Sequence, residues 1–293
     1  MTTFRLREEP GRLTRRQFLR AAGACALGIA GAGLLAGCSE SGSQSGSSGG
    51  SKLATIQSRG TLKCGVKKDI PGYGYLDPAT GTYQGMEIDL CYQVAAKVFG
   101  CSYDDAKAND LVAFTDVTPK TRGPLIDNDQ LDLVCATYTI TDERKKSWDF
   151  TNPYRSDYIG MLVKKGRFSS LEDLDGAYIG VSQGSSTMTN IQKMLQDQGA
   201  DITPEYLQFP DYSTLKIALD SYNIDVFSVD RSILSGYKDD TNELLLPDIK
   251  FGQQDYGIAT KKGCDFSQTC EEVVQECQAR GWLDEEVSNW GLL

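Results

Sequence analysis

An α/β protein built as two lobes, with two open, mostly parallel sheets joined by a two-strand hinge, is what this sequence predicts, and three observations carry the prediction. From Ser51 onward the hydrophobic period keeps switching between apolar strand-like runs and helical stretches, as expected of strands alternating with helices. The roughly 240 residues from there on suit two lobes. The unbroken apolar run YIGMLVKK (158–165) and the similar DYGIATKK (255–262) look like a pair of crossing strands. A chain that crosses, builds a second sheet and crosses back leaves its ligand in the cleft between the lobes.

The elements follow in order. A short helix from Ser51 to Arg59 is stopped by Gly60, and the strand TLKCGV (61–66) comes next. A Gly/Pro/Tyr-rich loop, DIPGYGYLDPATGTYQG (69–85), leads to an amphipathic helix with Ile88, Cys91, Val94, Ala95 and Val98 on one side. Gly100 is its stop. A strand at Leu111 to Phe114 precedes a helix announced by Thr118-Pro119, a cap residue followed by proline in the first turn. The strand LDLVCAT (131–137) and a helix opened by Thr141 complete the pattern of lobe 1, assigned to 53–158 and 257–293. Lobe 2, 159–256, reads as the strand AYIGVSQ, a helix from Ser185 to Gln198, the strand EYLQF, a helix from Tyr212 to Asp220, the strand IDVFSVD and a helix from Arg231.

Charge and composition narrow the function. The 293 residues hold 30 Lys and Arg against 40 Asp and Glu, a net charge of −10, and no histidine. An acidic body argues against bulk nucleic-acid binding. Without histidine there is no Ser-His-Asp or Cys-His catalysis and no histidine zinc site. The first 37 residues read as a signal peptide: paired Arg15 and Arg16, an apolar run from Ala21 to Ala36 that is too short to span a bilayer, and small residues ending at Cys38. The stretch from 38 to 52 then reads SESGSQSGSSGGS after Cys38, a flexible tether that would hold the body about 20 Å from a membrane.

Seven cysteines remain beyond Cys38, an odd number. Cys64 and Cys135 sit in apolar runs and read as small buried hydrophobes. Cys91 with Cys101, and Cys264 with Cys270, are plausible disulfides in an oxidising compartment. No C-x-x-C pair is present, so no metal or redox centre is expected.

In open α/β sheets ligands lie beyond the carboxyl ends of the strands. Four runs end in polar groups there: Lys67, then Thr137 and Thr139, then Gln183-Gly184-Ser185-Ser186, then Asp230. The third is a strand, a small-residue turn and a helix start, whose free N–H groups favour an anion. Two of these have a plain alternative, Asp230 and Ser185-Ser186 as helix caps. So do two arginines near helix starts, Arg144 as a surface charge and Arg122 paired with Asp127 or Asp129. Tyr73, Tyr75 and Tyr83 either wall the cleft or pack the lobe surface.

The motif GMEIDL after a Gly-rich loop, VTPKTRGPLIDNDQLDLVCATYTITDERKKSWDFTNPY, IGVSQGSS and ALDSYNIDVFSVDRSIL together closely resemble the polar amino-acid-binding proteins of bacterial ABC importers, over about residues 53–293. KTRGPL, TITDERK, FPDYSTLKIALD and FSVDRSILSGY resemble the aspartate/glutamate-binding branch of that family. The resemblance implies a type II periplasmic-binding-protein-like fold and no cofactor. Arg144, with Thr139 and backbone N–H groups around Ser185, Ser186 and Thr187, would take the α-carboxylate. Asp230 would take the α-ammonium. Arg122, Lys67 and the Tyr212 hydroxyl would take a side-chain carboxylate, and Thr137 either end. Two Arg, one Lys and one Asp match an acidic amino acid in sign and number, and burying that ligand requires such compensation. TRRQFLR resembles the twin-arginine export motif and LAGC a lipobox, which implies an extracytoplasmic monomer tethered by lipid on Cys38, with a membrane permease as its partner. Two rivals remain. An enzyme on the same fold would need a carboxylic general acid or base, for which Glu143 is the one in-motif candidate; a sensor domain would bind an amino acid for a signalling partner.

Overall fold

The computed structural model describes residues 50–292. The signal segment, Cys38 and the linker as far as Gly49 lie outside the described residues. Among the described residues no helix is long and apolar enough to cross a membrane.

The chain opens with α1 (Lys52–Arg59), whose cap Ser51 accepts the Ala54 N–H and whose end is a left-handed Gly60. Then come β1 (Leu62–Val66), three short strands β2 (Asp69–Ile70), β3 (Gly74–Leu76) and β4 (Tyr83–Gln84), and the helices α2 (Met86–Phe99) and α3 (Tyr103–Ala108). The strand β5 (Val112–Asp116), α4 (Arg122–Asp127), β6 (Leu133–Val134), α5 (Asp142–Ser147) and β7 (Trp148–Phe150) follow. The long β8 (Arg155–Lys164) carries the chain into the second lobe, through β9 (Tyr178–Ser182), α6 (Thr187–Asp197), β10 (Glu205–Phe209), α7 (Tyr212–Asp220), β11 (Val226–Asp230), α8 (Arg231–Tyr237) and β12 (Asn242–Leu244). It returns along β13 (Phe251–Tyr256) to β14 (Ala259–Lys261), α9 (Phe266–Ala279) and α10 (Trp282–Asn289).

Two main sheets result, ordered β5-β1-β6-β14-β7 and β10-β9-β11-β8-β12, with β13 also pairing β8. They are mixed rather than mostly parallel. The pairs β1/β5, β1/β6, β9/β10 and β9/β11 are parallel, whereas every pair made by β8, β13 or β14 is antiparallel. The reason is the crossing itself: strands that leave a lobe and come back run against those they return to. The crossing pair is β8 with β13, paired from Arg155↔Tyr256 to Ile159↔Phe251 with one register slip between Phe251 and Gln253. The run 255–262 is therefore split, part in the connector and part in the first sheet. Gly257 sits at the split, where a Cβ would lie 2.9 Å from the Ile140 side chain.

One apolar cluster runs from Cys64, Ile88 and Val94 in the first lobe through Tyr154 and Tyr256 at the crossing to Leu162, Leu215 and Phe227 in the second. Separate clusters back the other face of each sheet. The expected loop at 69–85 is instead a three-stranded meander, β2-β3-β4. It caps α2 with main-chain carbonyls, Gly72 accepting the Met86 N–H at 2.8 Å and Tyr73 that of Glu87 at 3.0 Å. Helix α4 begins three residues later than the Thr118-Pro119 signal, because Thr118 and Thr121 first close a hydrogen-bonded turn.

The expected disulfides do not form: the seven described cysteines are free thiols. Cys91 lies on the inner face of α2 and its thiol meets those of Cys64 on β1 and Cys135 just past β6. Cys101 lies beyond the Gly100 cap, partly buried at the edge of the same cluster, and Cys264 lies 3.3 Å from the Ser267 hydroxyl. Burial pushes the Cys64, Cys91 and Cys135 thiols up, so they behave as inert core groups.

Candidate functional site

The carboxyl ends of β1, β6, β9 and β11 converge where the lobes meet. Asp69 of β2 accepts the Tyr212 N–H at the start of α7 at 3.0 Å, and its carbonyl accepts the Tyr237 hydroxyl. Tyr73 and Ser232 share a hydroxyl contact of 3.0 Å. On the other rim Gly184 packs so closely on Lys120 that a Cβ would lie 3.0 Å from its Cα. Between these rims Lys67, Arg122, Thr137, Thr139, Thr187, Tyr212 and Asp230 are all buried. Arg144 joins them, half-buried, with one η nitrogen 2.7 Å from the Thr139 carbonyl and the other 3.3 Å from that of Gly184 across the rim.

Each charged group has a local reason for its place. Arg122, the first residue of α4, gives Nη1 to the carbonyls of Ala136 (2.5 Å) and Thr137 (3.2 Å), while its Nε is buried without a partner. Its guanidinium lies 3.7 Å from the centre of the Tyr138 ring, and that of Arg144 lies 4.8 Å from the same ring, so one aromatic ring serves both cations. Gly123 leaves room for Trp148, whose indole donates to Asp127 at 2.9 Å, and Asp129 takes Lys261 at 2.6 Å. Neither acid pairs with Arg122. Burial first, and then the Arg122 charge, lowers the Arg144 guanidinium to about 10.

Asp230 ends β11, accepts the Tyr256 hydroxyl, and is pushed up to about 7, first by burial and then by the neighbouring Asp157. It makes no cap hydrogen bond to α8. Helix α6 starts at Thr187, and the first of its N–H groups to find a carbonyl is that of Asn190, on Ser186 at 3.1 Å. The earlier ones are open to an anion. Ser185 departs from its expected role, because both its N–H (3.1 Å) and its hydroxyl (2.7 Å) serve the Ser182 carbonyl and so shape the turn.

Lys67 is also less available than expected. Its Nζ is 3.1 Å from Asp69 and 4.8 Å from the centre of the Tyr212 ring. Sequence reading passed over Asp69, a carboxylate three residues past β1 whose partner is set only by the turn into β2. It also passed over Glu87, wholly buried in the first turn of α2, where Oε1 accepts the Thr137 N–H at 2.5 Å together with the Tyr154 hydroxyl. Burial pushes the Glu87 carboxyl up to about 7. Through that bond it holds Thr137 at a φ of +43°, with the Thr137 carbonyl turned onto Arg122. Gln254, buried on β13, accepts the Thr139 hydroxyl at 2.6 Å and the Ser186 hydroxyl at 2.9 Å. Of the loop tyrosines, Tyr73 is core and Tyr83 packs on Phe114 at 5.3 Å between ring centres. Glu143 is exposed and paired with Lys146 at 2.7 Å, so it faces no cleft.

Two lobes that meet over a helix N-terminus, two guanidiniums beside one tyrosine ring and a buried carboxylate form an arrangement suited to a protein that binds a small solute. Comparison with known proteins agrees. Residues 62–292 match the model for bacterial extracellular solute-binding proteins, family 3, and the chain belongs to that family. It is 33% identical over 263 residues, 88% of this chain and 92% of the relative, to the ABC transporter glutamine-binding protein GlnH of Bacillus subtilis (strain 168). It is 28% identical over 278 residues, 91% of this chain and 89% of the relative, to the glutamate-binding protein GluB of Corynebacterium efficiens. An ancestral arginine-binding protein solved with arginine matches with a TM-score of 0.67 and 28% identity, over 79% of this chain and 98% of that one. The two-lobed fold and an extracytoplasmic, non-enzymatic, solute-binding role follow.

Proposed function

We propose that this chain is the amino-acid receptor of an ABC importer, that its ligand is acidic, glutamate or aspartate, and that it is exported on a twin-arginine signal and tethered by lipid on Cys38. The relatives' amino-acid-binding names support the first part. One observation carries the second: Arg122 is a buried cation with no carboxylate in salt-bridge contact among the described residues. Lys67 is taken by Asp69, and the buried Glu87 spends its bonds on the Thr137 N–H and the Tyr154 hydroxyl rather than on Arg122. Arg144 and Asp230 suit the α-carboxylate and α-ammonium. That leaves Arg122, buried with an unpartnered Nε, and a ligand carboxylate there offsets a charge that otherwise costs several kcal/mol to bury.

A second reading, glutamine, has its own support in the Lys67–Asp69 pair, which offers a donor and an acceptor as an amide requires, and in the resemblance to GlnH. Calorimetry of L-glutamate, L-aspartate and L-glutamine decides between them. The acidic reading expects the parent to prefer the acids and Arg122→Ala to weaken them at least about tenfold more than glutamine, since only the acids lose a paired charge. A parent that prefers glutamine, or an acid-to-amide ratio unchanged in Arg122→Ala, establishes the amide receptor instead.

A further inference from the structure

We infer that Gln254 is the positioning residue of the head-group site: it draws the hydroxyl protons of Thr139 and Ser186 away from the cleft, so that these two oxygens face the ligand as acceptors.

The argument begins in the backbone of β13. Between Phe251 and Gln253 the pairing with β8 slips by a residue, and Gly252 at the slip has a φ of +56°. A Cβ there would lie 2.8 Å from Ile159 and 3.0 Å from the Asn190 side chain, so the position takes glycine on both counts. Such a bulge re-aims the chain next to it. Here it turns the carbonyls of Gly252 and Gln253 toward the next side chain, where they accept from Gln254 Nε2 at 2.9 and 3.2 Å. An amide nitrogen only donates and an amide oxygen only accepts, so the two carbonyls fix which end of the amide is which. Oε1 then faces the hydroxyls of Thr139 (2.6 Å) and Ser186 (2.9 Å), and both must donate to it. Each hydroxyl has one proton, and with that proton spent only lone pairs remain for anything else in the cleft. Thr139 also forms a backbone bridge with Tyr256, the residue whose hydroxyl binds Asp230. Its acceptor oxygen and the Asp230 carboxylate are thus assembled around one tyrosine. This changes the role expected of the Thr139 side chain from carboxylate donor to ammonium acceptor.

The inference rests on the amino-acid reading above and not on the acidity of the side chain. An α-ammonium donates three protons, whereas the keto oxygen of a 2-oxo acid donates none and meets only lone pairs. Replacing Gln254 by leucine frees both hydroxyls to rotate and donate. Calorimetry on the purified chain with L-glutamate, L-glutamine and 2-oxoglutarate therefore reads the effect. Gln254→Leu is expected to weaken both amino acids about ten- to hundredfold, the range for a hydrogen bond to a charged group, and 2-oxoglutarate less than about threefold. Thr139→Val is expected to act alike and to add less than about threefold on top of Gln254→Leu, since both remove the same oriented oxygen. Gln254→Glu, whose protonated carboxyl can donate to the Gly252 or Gln253 carbonyl and still accept from the two hydroxyls, is expected to keep the preference for amino over oxo acid. Losses equal for amino and oxo acids, full additivity with Thr139→Val, or a Gln254→Leu protein binding amino acids within about threefold of the parent would overturn the inference. A parent that binds glutamine but not glutamate refutes the acidic reading alone, and the glutamine arm then judges Gln254.

Discussion

At the scale of single residues, Asp230 makes the cleft sensitive to pH. Its carboxyl is held at about 7 against an ordinary 3.8, so the folded chain keeps a proton that the unfolded chain loses near pH 4. Its contribution to stability therefore falls as pH rises from about 4 through 7 and stays low above that. An ammonium set beside it works the other way, favouring the ionised form and expelling the proton. Amino-acid affinity is expected to be level above pH 7 and to weaken by up to about tenfold per unit below it. Glu87 titrates in the same range, so the slope is read as the difference between the parent and Asp230→Asn. Calorimetry from pH 5.5 to 8 in both proteins gives that difference, and coincident slopes would rule out Asp230 as the ammonium's partner.

Among the elements, the meander β2-β3-β4 is the part of the fold on which the site most depends. It caps α2, carries Asp69 to Lys67, and reaches the second lobe through Tyr73. Gly85 closes it at a φ of +130°, where a Cβ would lie 2.2 Å from the Tyr73 carbonyl oxygen. Backbone cannot yield as a side-chain tip does, so Gly85→Ala is expected to cost about 3 kcal/mol or more, a loss of about 6–12 °C in Tm. Gly81, left-handed but with open space around it, is the control: alanine there costs about 1 kcal/mol. Thermal unfolding of the two variants tests the contrast, and equal losses would show that the meander's packing does not matter.

Elements with a local cause were the legible ones. The strand 205–209 and the helix 212–220 stand where the apolar period and the cap Asp211 place them. The meander was hidden because its strands are two or three residues long and held by pairing, not by periodicity. Asp230 was legible as a charge at a strand end, and Arg122 and Arg144 through the family resemblance of KTRGPL and TITDERK. Asp69, Glu87 and Gln254 were not, since each acts on a group between 2 and 115 residues away that only the tertiary fold brings near.

For the whole molecule, the folded body begins almost where the linker stops. Ser51 binds Asp265, and the Lys52 N–H reaches the same carboxylate at 2.9 Å, so the tether joins the first lobe beside the start of α9. If Cys38 bears the lipid, Cys38→Ala is expected to leave the membrane fraction for the soluble one while binding its amino acid unchanged. Continued membrane attachment with the same lipid label would refute the anchor.

The seven described thiols divide unevenly between the lobes. All of them, from Cys64 to Cys277, lie outside 159–256, and five are buried in the core of the first lobe. An alkylating reagent is therefore a clock for one half of the molecule. Cys101 and Cys264, partly exposed, mark time zero, and the other five react only as that lobe breathes. The second lobe unfolds unseen by the reagent, so comparing its modification rate with a global unfolding signal separates the stabilities of two lobes that a single melting curve averages.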